Sequence, residues 1–384
     1  MTDRRGRFAV AAVVVLAVAA AAWWLTAQQG PNETRRSETD GRVVDFLASD
    51  DGGDYREVVP GVPVVFPDDH GPHPEFRQEW WYFTGNVATT SGRRFGFQLT
   101  FFRFAHGARD EYRDSAWRHE HSYMAHFAVS DVAGKRLLAE QDYARGSLDL
   151  AGALADPFRV WVNGWSARAP AGRGEGFAAR LSANGDAAAI DIEVSTDAAP
   201  LLQGEDGYSV KDGAGATASY YYSFPDLAAR GTLTVGGESF EVEGRAWMDR
   251  EWSTRVLSRD LDGWDWFALR TSDGSAIMVF QVRGAGGHRY AVVVDGQGGA
   301  MRYAGGEVRV EPRRWWTSGD SGARYPVGWR LSIPGAGVDL EVDAAFDAQE
   351  LNLDFRYYEG VVDVAGAVDN RPVSGEGYME LTGY

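Results

Sequence analysis

The chain contains no cysteine among its 384 residues. This absence excludes disulfide bonds, zinc–thiolate sites, iron–sulfur clusters and thiol catalysis, so a metal site would have to use histidine and carboxylate ligands. Histidine is itself scarce, with seven residues in the whole chain. Composition therefore gives little support to a metalloprotein.

Positive charge is in deficit, because 38 Lys and Arg residues stand against 55 Asp and Glu residues, for a formal net charge of -17. No basic stripe reverses this field locally, so nucleic acid is not an expected partner. The sequence also lacks a phosphate-binding loop, a dinucleotide fingerprint between a strand and a helix, and a Gly-x-Ser-x-Gly nucleophile turn. We therefore expect no cofactor and no serine hydrolase chemistry.

Long apolar runs are missing except at the N-terminus, where Arg4, Arg5 and Arg7 precede an apolar run at residues 8–25. This arrangement predicts export, with the rest of the chain in the periplasm or outside the cell. The run is long enough for residues 1–27 to be either a cleaved signal peptide or an anchor that contacts the membrane through residues 8–25. Residues 28–57 are polar and almost free of aromatics, which is typical of a flexible linker.

Helical periodicity is scarce, whereas short alternating runs separated by glycine-containing turns recur from residue 58 onward. With 47 Gly, 14 Trp, 16 Tyr and 19 Phe, the composition also favours strands and tight turns. The sequence predicts an all-β protein of two antiparallel β-barrels, at residues 58–243 and 244–384. Barrels hide their strand edges, and we expect a barrel interior to hold a small ligand.

The run at residues 244–252 has the strongest chemical character in the chain. If it is a strand, Asp249 and Glu251 share a face with Trp247, while Met248 and Arg250 lie on the opposite face. A pair of carboxylates on one face raises one of the two pKa values, and aromatic neighbours exclude water. The alternatives are a salt bridge from Arg250 or Arg245 to Asp249 and a turn aspartate.

Aromatic residues suggest the walls of a pocket. In the run Glu79-Trp80-Trp81-Tyr82-Phe83, alternation places Trp80 and Tyr82 on one face and the other three on the opposite face, so only one set can line a cavity. Further candidates for contact with a ligand are Tyr221, Trp247, Trp252, Trp264 and Trp266. Ordinary core packing is the alternative for all of them.

Three histidines fall within eight residues, at His119, His121 and His126. His119 and His121 would share one face of a strand, as zinc ligands do, but no carboxylate or fourth histidine stands at ligand spacing. We expect a surface pair and one buried histidine rather than a metal site. His126, inside an apolar run, could orient water or a ligand, or bond to the backbone as buried histidines commonly do.

These segments resemble the AttH-like family of secreted proteins described as hydrolases, which share a tandem lipocalin-like fold with carotenoid 1,2-hydratase. The resemblance extends over most of the chain after residue 57, and the segments that carry it are Glu79-Trp80-Trp81-Tyr82-Phe83-Thr84-Gly85, residues 123–131, Tyr220-Tyr221-Tyr222-Ser223, Trp247-Met248-Asp249-Arg250-Glu251-Trp252 and residues 262–267. It implies two lipocalin-like barrels. The sequence offers no hydrolytic machinery to match the word hydrolase.

The resemblance also implies a chemistry. In the carotenoid hydratases the equivalent of residues 247–252 reads approximately Tyr-His-Asp-His-Asn-Trp, and its Asp is the proposed proton donor. Asp249 and Trp252 match that motif, whereas Trp247, Met248, Arg250 and Glu251 differ from it. By analogy, Asp249 protonates an isolated C=C bond, Trp247 and Tyr221 stabilise the carbocation, and Glu251 positions the water that adds.

Two functions follow from these expectations. The first is an exported protein that binds an apolar isoprenoid or lipid-like molecule and hydrates it at Asp249. The second is a non-catalytic lipid carrier or chaperone at the cell envelope, working with an envelope transport partner. The carrier needs the cavity but not Asp249, so the position of Asp249 relative to the cavity discriminates between them.

Overall fold

The computed structural model describes residues 55–106, 120–170, 176–213, 215, 217–255 and 261–384. The predicted signal or anchor and most of the linker lie outside these residues, as does His119. In the part of the chain that is described, no helix has the length and apolar character needed to cross a membrane.

Strands dominate the fold, and over the described residues the helical elements are the 3-10 turns Asp68–His70, Gly305–Glu307 and Pro334–Ala336. The strands are β1 Gln78–Ala88, β2 Arg94–Ala105, β3 His121–Asp131, β4 Arg136–Arg145, β5 Ala151–Leu154, β6 Arg159–Val162, β7 Trp165–Arg168, β8 Phe177–Asn184, β9 Ala188–Thr196, β10 Leu201–Leu202, β11 Tyr208–Val210, β12 Ala218–Val235, β13 Glu238–Ser253, β14 Leu261–Thr271, β15 Ala276–Gly284, β16 Arg289–Val294, β17 Ala300–Ala304, β18 Arg309–Thr317, β19 Arg324–Ile333, β20 Val338–Ala344, β21 Glu350–Asn352, β22 Arg356–Val368 and β23 Arg371–Leu381. The all-β prediction is confirmed.

The first sheet has the strand order β4-β3-β2-β1-β13-β12-β9-β8-β7-β6-β5, with β10 and β11 paired to β12. The first strand of this sheet in the chain, β1, therefore lies beside its last strand, β13, as in an up-and-down barrel. Side chains on β4 link it to the opposite end of the sheet: Asp142 accepts a bond from Asn163 Nδ2 at 2.8 Å, and Glu140 Oε2 accepts one from the Asp186 amide at 3.0 Å. The sheet curls until its two ends meet through these polar bonds.

The second sheet repeats this plan with the order β17-β16-β15-β14-β23-β22-β20-β19-β18, and β21 pairs with β22. Again the first strand of the sheet in the chain, β14, lies beside the last, β23. The end strands β17 and β18 are joined by the 3-10 turn Gly305–Glu307. The prediction of two tandem lipocalin-like antiparallel barrels is confirmed.

Each sheet packs its inward side chains into its own hydrophobic cluster. Trp81, Phe83 and Met248 belong to the first cluster, and Val327, Leu331 and Tyr358 belong to the second. Strand alternation explains this, since every second side chain points inward. Large apolar side chains occupy these inward faces, where the sequence led us to expect room for a ligand.

A third cluster lies between the outer faces of the two sheets, where Tyr82 and Tyr221 meet Trp266 and Phe280. The two sheets approach each other closely here. Asn86 Nδ2 donates to the Gly377 carbonyl oxygen at 3.0 Å, and a Cβ on Gly96 would overlap a methyl group of Val361. The two barrels therefore pack against each other through their outer faces.

The boundary predicted at residue 244 falls inside β13, which belongs wholly to the first sheet. Gly244 allows β13 to pair closely with β1 there, because a Cβ at that position would clash with the Asn86 carbonyl oxygen. The change of sheet lies between Ser253, the last residue of β13, and Leu261, the first residue of β14.

Candidate functional site

A cavity lies between the facing sheets and contains about 750 Å³ not occupied by protein atoms, counting the solvent at its mouth. The first sheet and the segment after β11 supply eight of its lining residues: Trp80, Tyr82, Thr100, Phe102, Lys211, Tyr221, Asp249 and Glu251. The second sheet supplies the others: Trp264, Trp266, Phe280, Tyr357, Glu359 and Glu380. The site is thus built by both barrels from aromatic rings and four carboxyl groups.

Asp249 lies on β13 with its carboxyl group directed into a set of hydrogen-bond donors. Register places Tyr82 and Ser223 directly opposite it on the neighbouring strands. Oδ2 accepts a bond from the Tyr221 hydroxyl at 2.8 Å. Oδ1 accepts bonds from Ser223 Oγ at 2.5 Å and from Trp247 Nε1 at 2.7 Å. The carboxyl group is held in one orientation at the cavity wall.

The electrostatic environment of Asp249 suits an acid. Burial raises the pKa of Asp249 to about 7, and the charge of Glu251 acts in the same direction. The hydrogen bonds from Ser223, Trp247 and Tyr221 lower the pKa in part. The protonated carboxyl is therefore well populated near neutral pH, and it can both donate a proton and take one back.

The arginines beside Asp249 in the sequence do not pair with it. Arg250 leaves β13 on the opposite face, where it forms a buried ion pair with Glu79 and lies 4.0 Å from the ring centroid of Trp81. Arg245 pairs with Asp226. The salt-bridge alternative for Asp249 is therefore wrong, because strand alternation separates its side chain from Arg250.

Glu251 shares the face of Asp249 and binds Lys211, whose Nζ lies 2.8 Å from Oε1. The same ammonium lies 4.8 Å from the ring centroids of Tyr221 and Phe280. Both charged side chains are almost fully buried. The pair fixes a carboxylate beside Asp249 without bringing a free positive charge into the cavity.

The second sheet adds two carboxyl groups that we did not predict. Glu359 and Glu380 lie directly opposite each other on β22 and β23. Tyr82 donates to Glu359 Oε2 at 2.9 Å, and Trp264 Nε1 donates to Glu380 Oε1 at 2.8 Å. Burial raises the pKa of Glu380 to about 8, and burial together with the charge of Glu380 raises the pKa of Glu359 well above its usual value.

A sequence signal for these two residues does exist. Each follows a tyrosine by two positions, in Tyr357-Tyr358-Glu359 and Tyr378-Met379-Glu380. In a strand, residues two apart share a face. A carboxylate that alternates with tyrosine in an apolar run was therefore a candidate for a cavity, although the sequence does not show which strands would face each other.

Most of the aromatic residues predicted to bind a ligand lie at the cavity. Trp80, Tyr82, Tyr221, Trp264 and Trp266 line the cavity. Tyr82 and Trp266 meet edge to face with ring centroids 5.3 Å apart, and Trp266 Nε1 lies 3.3 Å from the Tyr221 hydroxyl oxygen. Contacts of this kind join the two sheets at the site.

Three predicted ligand-binding residues do not line the cavity. Trp247 lies behind the wall and donates to Asp249. His126 is buried behind Tyr357, with its Nδ1 2.7 Å from the Tyr357 hydroxyl oxygen. Burial lowers the pKa of His126 to about 3. Trp252 lies in the first core and stacks on His73 with centroids 4.0 Å apart. The structure therefore gives Trp252 a packing role in the first core.

Among the described residues, no group of three or more His, Asp or Glu side chains could hold a metal ion. His119, one of the three clustered histidines, lies outside those residues. His121 Nδ1 lies 3.1 Å from Nη1 of Arg103.

Comparison with known proteins gives consistent matches. The sequence model of a family described as AttH-like matches residues 57–384. The crystal structure of an AttH from Nitrosomonas europaea is 35% identical, with a TM-score of 0.75, and the match covers 86% of this chain and 99% of that one. The structure of kievitone hydratase from Nectria haematococca has the same fold at 18% identity and a TM-score of 0.64, covering 86% of this chain and 96% of that one.

A curated relative, kievitone hydratase from Fusarium solani subsp. phaseoli, is 25% identical over 182 residues. This match covers 44% of the present chain and 50% of the relative, so the chain spans about half the length of that protein.

Proposed function

The chain belongs to the AttH-like family, and from this membership and the geometry of the cavity we propose that it is a hydratase of an apolar isoprenoid or lipid-like molecule. The reaction adds water across an isolated C=C bond, with Asp249 as the acid. Two relatives whose names describe a hydratase support this class of reaction.

The observation that carries the proposal is the environment of Asp249. Its carboxyl group is buried, lines an aromatic cavity, has a pKa raised to about 7 and pairs with neither neighbouring arginine. Protonation of an isolated alkene needs a neutral acid held against the double bond in a site that excludes water. A structural aspartate in a salt bridge would have the opposite pKa shift.

The proposed steps balance in atoms and charge. Neutral Asp249 transfers its proton to one alkene carbon, which leaves an aspartate and a carbocation on the more substituted carbon. The aromatic rings of Tyr221 and Trp266 and the nearby carboxylates stabilise this cation. Water, positioned by Glu251, attacks the cation through its oxygen, and the oxonium product returns one proton to Asp249. The alkene gains one water and the carboxyl group is regenerated.

A carrier is the second candidate, because the aromatic lining would suit an apolar ligand even without chemistry. Both functions fit a chain exported to the periplasm or cell exterior, which Arg4, Arg5, Arg7 and the apolar run at residues 8–25 support. If uncleaved, that run contacts the membrane. A carrier would then exchange its ligand with an envelope transport partner.

The test is incubation of the full-length protein with defined isoprenoids (geraniol, farnesol and squalene) and with an envelope lipid extract, followed by mass spectrometry of bound and transformed species. We expect a product heavier by one water with the wild type and none with Asp249→Asn. Asp226→Asn, which changes a half-buried aspartate outside the cavity, should keep the activity. Equal binding of unchanged ligand by wild type and Asp249→Asn would establish the carrier instead.

A further inference from the structure

Glu359 has one carboxyl oxygen that the protein leaves unpaired. Its side chain is fully buried and lines the cavity. Oε2 accepts a hydrogen bond from Tyr82, whereas Oε1 has no hydrogen-bond partner among the described residues. Because a buried polar atom without a partner costs free energy, such an atom at a cavity wall indicates a polar group on the molecule that fills the cavity.

The charges around this oxygen restrict what that polar group can be. Glu380 lies directly opposite Glu359, and the first sheet adds Asp249 and Glu251 to the same cavity. Among the described lining residues the one cation is Lys211, which is already bound to Glu251. A carboxylate or phosphate on the ligand would therefore lie among carboxyl groups without a free counter-charge.

We propose that the molecule bound here is an apolar alcohol or phenol whose hydroxyl group hydrogen-bonds to Oε1 of Glu359, and that fatty acids and phosphate-bearing lipids are rejected. A hydroxyl group both donates and accepts, so it pairs with this oxygen whether the carboxyl is protonated or ionised. The inference rests on the proposed function in one respect, namely that the ligand occupies this cavity.

Tyr82 relates this polar contact to the reacting end of the site. It lies opposite Asp249 in the β1–β13 register, and its hydroxyl donates to Glu359 on the facing sheet. The hydroxyl group of the ligand is thus held by the second barrel while Asp249 of the first barrel faces its apolar part. Glu359 is a specificity residue, separate from the acid.

The test is equilibrium binding of three matched ligands to the full-length protein: farnesol, its methyl ether and farnesoic acid. Quenching of tryptophan fluorescence reports binding, because Trp80, Trp264 and Trp266 line the cavity. We expect farnesol to bind about tenfold more tightly than the ether, which cannot donate a hydrogen bond, and farnesoic acid to bind more weakly than either at neutral pH.

Two variants of Glu359 test the role of its polar atoms. Glu359→Leu should bind farnesol and the ether equally, and its binding of the ether shows that it is folded. Glu359→Gln, which keeps a polar side chain of the same length, should keep the preference for farnesol over the ether. Glu376→Gln, a half-exposed residue of β23 that lies near Arg94, is the control and should behave as the wild type.

Equal affinity of the wild type for farnesol and its ether would overturn the inference, as would tight binding of farnesoic acid. Either result stands even if Glu359→Leu fails to fold. The outcome is also distinct from that of the hydration test. A preference for alcohols without turnover would reject the hydratase and keep the proposed ligand class. Turnover without that preference would keep the hydratase and reject the proposed ligand class.

Discussion

Asp249 and Arg250 are consecutive in the chain, yet their side chains have separate environments on opposite faces of β13. Asp249 faces the cavity and accepts hydrogen bonds from neutral donors. Arg250 faces the first core, pairs with Glu79 and donates to the Gly71 carbonyl oxygen at 2.5 Å. The backbone thus keeps a guanidinium ion away from a carboxyl group that must be neutral in the proposed hydration.

The rate of the proposed hydration should depend on pH through Asp249. Its pKa of about 7 reflects burial and the nearby Glu251, which is itself paired with Lys211. Because the acid form is required, the rate should be level below pH 7 and fall about tenfold for each pH unit above it. Measuring initial rates from about pH 5 to about pH 9 checks this. A rate that rises with pH would mean that Asp249 is a base.

Tyr221→Phe should shift this profile to higher pH. The Tyr221 hydroxyl donates to Asp249 and favours its ionised form, so removing it raises the pKa of Asp249 and extends the plateau of the rate. Tyr220→Phe is the matched control, since the Tyr220 hydroxyl bonds to Val59 instead. An identical shift in both variants would show that the effect is general and does not pass through Asp249.

Thermal stability should decrease as pH rises. Asp249 and Glu380 have ordinary pKa values of 3.8 and 4.5, which the fold raises to about 7 and about 8. Their stabilising contribution is complete below the unfolded values and is lost as pH passes through the folded values. Between about pH 5 and about pH 9, Tm should fall by roughly 3–6 °C more in the wild type than in Glu380→Gln. Parallel curves for the two proteins would contradict this assignment.

Glu79→Gln should destabilise the protein strongly. Glu79 is fully buried between Arg103 and Arg250, which hold its pKa well below the usual range. An amide leaves two buried guanidinium groups without their carboxylate, at a cost of about 3–5 kcal/mol in the free energy of unfolding. Asp191→Asn, which breaks the half-exposed pair with Arg180, should cost less than about 1 kcal/mol. Urea unfolding of the two variants measures the difference.

Trp252 and Trp266 should respond differently to replacement by phenylalanine. Trp266 lines the cavity, so Trp266→Phe should weaken farnesol binding with a small effect on Tm. Trp252 packs in the first core against His73, so Trp252→Phe should lower Tm and leave binding unchanged. Calorimetric titration and thermal melts distinguish the two, and loss of binding in Trp252→Phe alone would contradict its packing role.

Strand periodicity was sufficient to predict part of the site. A period of two places Asp249 with Glu251 and separates both from Arg250, and it sets Trp80 and Tyr82 apart from Trp81. The same rule already places Trp252 on the face opposite Asp249. The structure accordingly places Trp252 in the first core, although its match to the family motif suggested contact with a ligand.

The remaining site residues depend on contacts that no local pattern contains. Lys211 reaches Glu251 from the segment after β11, and Glu359 and Glu380 reach the cavity from strands more than 100 residues beyond Asp249. Which faces of two sheets meet is decided by packing of the whole chain. For this reason the sequence predicted the barrels and the candidate acid, whereas the cavity that both sheets line became visible only in the structure.

The separate location of the cores and the cavity has a consequence for how this protein can change. The cavity-lining side chains belong to neither of the two inward clusters. Enlarging or reshaping the cavity through Trp80, Phe102 or Phe280 therefore opens no void within either barrel. New ligand preferences can accumulate by substitution at the meeting faces while both folding units keep their packing, which makes the scaffold a suitable starting point for directed evolution.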